Sequence, residues 1–69
     1  MKGERDLAEQ RDLAVRKFLR LKRLERELTQ RRLAALMGKP QSFVSDVENG
    51  QRRVSVSDFI AFSESVRRL

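Results

Sequence analysis

Apolar residues in this chain recur at helical spacing almost from end to end, and no β-branched stretch alternates long enough to read as a strand. Ala14, Val15, Phe18, Leu19 and Leu28 follow helical spacing, predicting a first helix from about Arg5 to Arg26. Leu7, Ala14, Leu21 and Leu28 recur every seven residues and hint at a second apolar seam. Thr29 is a natural N-cap for a second helix, Gln30 to Met37, with Leu33, Ala34 and Met37 on its inner side and Gly38 as its stop. Pro40 suits the first turn of a third helix, where a missing N–H costs nothing. Val44 and Val47 face inward on that helix, which ends at Asn49-Gly50. After the loop Gln51-Arg52-Arg53, the Ser55-x-x-Asp58 spacing marks a capped start, and Phe59, Ile60, Phe62, Val66 and Leu69 line the last helix. Phe18, Phe59 and Phe62 thus fall where a core is wanted. The pattern is all-α.

Composition narrows the function. The chain has 69 residues, enough for one small domain. It holds no cysteine and no histidine, so a disulfide framework, a zinc site and the commonest general base are all missing, and no metal or cofactor is expected. Sixteen Lys and Arg against ten Asp and Glu give a net charge of +6, with a pI near 11.1. A small chain this basic seeks polyanions. The charge is uneven: Arg16 to Arg26 carry six basic residues and one acid, whereas Met1 to Leu13 are mixed. No apolar run approaches the ~20 residues of a membrane span, and no secretory segment is visible. A cytoplasmic protein that does not engage membranes is the expectation.

Two short helices joined at Gly38-Lys39-Pro40 make a helix-turn-helix candidate. The residues sharpen it. Leu28-Thr29-Gln30, Leu33-Ala34, Gly38, Gln41-Ser42, Ser45 and Glu48-Asn49-Gly50 closely resemble the phage repressor and Cro-like family, the XRE-type regulators. The resemblance runs from Arg23 to about Val66. It implies a lambda-repressor-like bundle of four to five helices and a prokaryotic or phage-encoded transcriptional regulator, most simply a repressor. Such a regulator reads duplex DNA in the major groove with the helix from about Pro40 to Asn49. It also implies a homodimer on a palindromic site. Residues 14–69 would form the DNA-binding domain and residues 1–13 a helical extension or tail. No C-terminal fifth helix is expected.

The resemblance assigns a base contact to Gln41, with Ser42 next along, and backbone contacts to Gln30, Ser45, Asn49, Arg52 and Arg53; Asp46, one helical turn beyond Ser42, is read as a further base contact from its place on the same face. Gln41 would offer its amide to adenine, and Gln30 would grip phosphate and brace Gln41. Arg23 and Glu48 are expected to form a structural ion pair, not a catalytic group, since no second acid, base or metal cluster accompanies Glu48. No enzyme is predicted.

Asp46, Phe43, Glu27, Leu21 and Leu36 depart from the family pattern. Asp46 sits where a carboxylate either accepts from cytosine N4 or weakens DNA contact. Phe43 is expected to pack at the domain edge. Glu27 replaces the usual glycine, so the first helix is expected to end differently. Leu7, Leu21 and Leu36 are read as one patch covered by the extension or by a second subunit. The rival reading is an antitoxin-like or adaptor protein that uses the fold for a protein partner.

Overall fold

Local capping chemistry delimits the elements. A computed structural model of the chain, describing residues 4–68 and their side chains from residue 7 on, contains four helices and, among the described residues, no strand. They are α1 (Glu4–Glu25), α2 (Gln30–Met37), α3 (Gln41–Glu48) and α4 (Val56–Arg67). The Thr29 hydroxyl accepts from the Arg32 amide and opens α2. Gly38 closes it at φ 70°, a left-handed conformation that suits a residue without Cβ. The Ser55 hydroxyl accepts from the Asp58 amide at 3.0 Å, and the Asp58 carboxylate accepts in return from the Ser55 amide at 3.3 Å. Pro40 stands just outside α3 as its N-cap, one residue earlier than the first-turn position expected for it. Leu69 lies outside the described residues.

The end of α1 keeps its geometry despite the missing glycine. Glu27 takes φ 56°, and the Leu28 amide reaches back to the Arg23 carbonyl at 3.1 Å. That is the six-to-one closure usually served by glycine. A side chain in this conformation costs about 1–2 kcal/mol. Glu27→Gly should therefore raise the melting temperature by about 4–8 °C per kcal/mol regained. A thermal melt in which the variant is no more stable than the parent would show that the turn carries no such strain.

Helix α2 packs on α3 and α4, and α1 packs on α3. The core they enclose comprises Leu19, Leu28, Leu33, Ala34, Phe43, Val44, Val47 and Phe62. Two expectations for this core need correcting. Phe18 remains 46% exposed and Phe59 is also exposed; their rings stack at 6.4 Å on the rim. The reason is rotational: α1 turns Leu19 and Arg23 inward, and adjacent helical residues point about 100° apart. On α4, Phe62 and Ser65 take the inner face, which leaves Ile60 outside. Phe43, expected at the edge, is only 6% exposed. It joins Val44 and Val47 on the inner face of α3, with Lys39 and Arg52 cations 5.3 and 4.8 Å from its ring centroid.

Leu36 also departs from expectation. It is partly buried against the core, whereas Leu7 and Leu21 stand exposed on α1. The boundary expected at Leu13 falls inside a continuous helix. Between Leu7 and Phe18 every residue is exposed except Ala8 and Arg16, which are half-buried. The N-terminal half of α1 thus extends along the chain's 44 Å long dimension with little cover.

Candidate nucleic-acid interface

A buried ion pair fixes α3 relative to α1. Arg23 Nε donates to Glu48 Oε2 at 2.6 Å and Nη2 to Oε1 at 2.9 Å, while Nη1 donates to the Leu28 carbonyl at 2.7 Å. The two side chains are 9% and 6% exposed. Gln30 Nε2 donates a further hydrogen bond to Glu48 Oε1 at 3.0 Å. Burial alone would push the Glu48 carboxyl up. Hydrogen bonds from Arg23 and Gln30, with the charges of Arg23 and Arg20, outweigh it and hold the group below its ordinary value. Glu48 is thus ionised at neutral pH, and its acceptor capacity is spent inside the fold.

This arrangement changes the role expected of Gln30. Its amide is directed to Glu48, at the C-terminal end of α3, instead of bracing Gln41 at the other end. Gln30 lines a polar cleft of about 180 Å³ together with Arg20, Arg23, Glu48 and Asn49. Arg20 was not legible as a site residue from sequence. It lies three residues before Arg23, so both project to the same side of α1. Its Nε lies 3.9 Å from Glu48 Oε1, and most of its side chain stays in solvent. The cleft therefore combines a largely free guanidinium with two side-chain amides, donors that suit a phosphate oxygen.

The remaining polar residues of α3 and its C-cap, Asn49, share one face. At 100° per residue, Gln41, Ser42, Ser45, Asp46 and Asn49 fill about 140° of arc, and Phe43, Val44 and Val47 fill the opposite side. Gln41, Ser42 and Asn49 are exposed, and Ser45 and Asp46 are half-buried. Asn49 Nδ2 donates to Ser45 Oγ at 3.4 Å. No side chain caps the start of α3. The Phe43 amide donates to the Pro40 carbonyl at 3.0 Å, and the positive end of the helix dipole lies beside Gln41 and Ser42.

The loop arginines are less free than loop position suggests. Arg53 Nε lies 3.1 Å from Asp12 Oδ2 on α1, and Arg52 lies over the Phe43 ring. Gly50, at φ 79°, is pressed by the Arg16 guanidinium, which occupies the space a Cβ would need. The described residues hold no cluster of acids, Cys or His that could bind a metal ion, and no described helix is long and apolar enough to cross a membrane.

Two short helices joined at a left-handed glycine, with the second presenting a polar face and locked by a buried pair, define a helix-turn-helix domain. Residues 19–65 match the helix-turn-helix family model of XRE type, and the chain belongs to this phage repressor and Cro-like family. The family is one of DNA-binding regulatory domains and not of enzymes. A comparison with the curated proteins returned no match.

Proposed function

We propose that this regulator is a repressor that reads duplex DNA sequence-specifically, inserting the polar face of α3 into the major groove. The observation that carries the reading is that face: five polar residues aligned on a helix whose opposite side is anchored in the core. Gln41 pairs bidentately with adenine, Ser42 touches the neighbouring base, and Asp46 accepts from cytosine N4. Gln30, Ser45 and Asn49 hold the backbone with Arg20, and Arg52 and Arg53 add charge from the following loop. A homodimer reads a palindromic site whose half-sites lie about 34 Å apart. Repression follows where that site overlaps a promoter.

Asp46 on the presented face, and the pairing of Arg53 with Asp12, favour one rival: an adaptor that turns this surface to a protein partner. Salt dependence separates the two. A reader contacting Z phosphates loses affinity with a log–log slope of about −0.9Z while keeping its preference for one sequence. Titrations of a selected and a scrambled duplex across a range of salt concentrations should show both features. A slope without preference would reduce the protein to a polycation and sink the proposal.

A further inference from the structure

The ring of Phe43, a departure from the family pattern, gathers two cations from either end of α3. Lys39 stands in the turn before that helix and Arg52 in the loop after it. The Lys39 ammonium lies 5.3 Å and the Arg52 guanidinium 4.8 Å from the ring centroid, and both residues are otherwise exposed. A π face positions a cation through its quadrupole and leaves most N–H donors free. Neither side chain makes a hydrogen bond or ion pair among the described residues, whereas Arg53 is paired with Asp12 and Arg23 with Glu48. Two like charges on one ring repel each other. An anion with oxygens for both relieves that repulsion, and the ring has already ordered the side chains that would receive it.

Position on α3 identifies the anion. At 100° per residue, Phe43 lies about 60° beyond Asp46 at one edge of the polar face, and Glu48 about 20° beyond Gln41 at the other. The Phe43 ring and the cleft of Arg20, Gln30 and Asn49 therefore flank the polar face on opposite sides. A helix about 10–12 Å across fills a major groove about 12 Å wide, so a phosphate backbone runs along each flank. We propose that Lys39 and Arg52, held on the Phe43 ring, form a second phosphate site that grips the DNA strand opposite the one at the Arg20 cleft.

This site rests on the reading of α3 as a helix seated in the groove, but a phosphate grip is indifferent to base sequence. Its first test is therefore a duplex of arbitrary sequence, titrated across a range of salt concentrations by fluorescence anisotropy. Lys39→Gln combined with Arg52→Gln should lower the log–log salt slope by about 0.9, the value for one phosphate. Each single variant should already show most of the double variant's loss, because both cations serve one anion. Phe43→Leu, which keeps the position apolar but removes the π face, should weaken binding and make Lys39→Gln nearly silent. On the selected duplex, a single neutral methylphosphonate should weaken wild-type binding at one position on each strand. Lys39→Gln with Arg52→Gln should abolish that sensitivity on one strand, and Arg20→Gln on the other. An unchanged slope in the double variant would overturn the site, as would strand sensitivities that map to one strand only or a wild type that binds no duplex. Loss of sequence preference with the slope change intact would instead sink base reading and leave the phosphate site standing.

Discussion

Replacing Arg23 by alanine should cost this domain about 3–5 kcal/mol, because it removes one partner of a buried pair and leaves the other charged. Three hydrogen bonds go at once: two to Glu48 and one to the Leu28 carbonyl. A chain of this size holds roughly 3–10 kcal/mol at 0.05–0.15 kcal/mol per residue. The loss is therefore a large share of the total, and at the low end of that range it unfolds the domain. Urea denaturation followed by circular dichroism measures the loss, and a cost below about 1 kcal/mol would place the pair outside the fold's supports. The same bond makes stability pH-dependent. Since the Glu48 carboxyl is held low in the folded state, its contribution is complete above the unfolded value of about 4.3. It is lost as pH falls through the lower folded value, where the unfolded chain binds more protons. Wild-type stability should fall on that acid limb, and Glu48→Gln should flatten the fall.

Phe43→Ala should be nearly as damaging, at about 3–5 kcal/mol for a large-to-small change in a closed core. Phe43 lies on the helix proposed to enter the groove, yet it is buried with Val44 and Val47 beneath the Lys39 and Arg52 cations. Stability and readout should consequently separate. The variant should lose denaturation midpoint, but under conditions that keep it folded its ranking of base sequences should not change. A small stability loss with an altered preference at a thymine would instead make Phe43 a reading residue.

Element boundaries were legible because each rests on local chemistry. Thr29 and Gly38 bracket α2, and Ser55 with Asp58 opens α4. The Arg23–Glu48 partnership came from the family pattern. What sequence left open was rotation and long-range pairing. Phe18 and Leu19 are neighbours on a helix with two apolar seams, so periodicity cannot say which faces the body; the packing of α1 on α3 chooses Leu19. Phe43 reads as a surface residue by family position, but α3 turns its ring inward. Gln30 depends on which end of α3 lies nearest, a tertiary fact that brings Glu48 to it and not Gln41. Arg20 is one of many basic residues on α1 and acquires significance only once Gln30 and Asn49 close the cleft beside it.

The central claim is that α3 reads bases, and selection from a random duplex pool with the wild type and Gln41→Ala tests it most directly. The wild type should enrich a two-fold symmetric motif. Gln41→Ala should bind the best site about 1–3 kcal/mol more weakly and lose preference at one position in each half-site, leaving the others intact. A wild type that enriches no motif, or a Gln41→Ala variant that enriches the same one, would contradict the account.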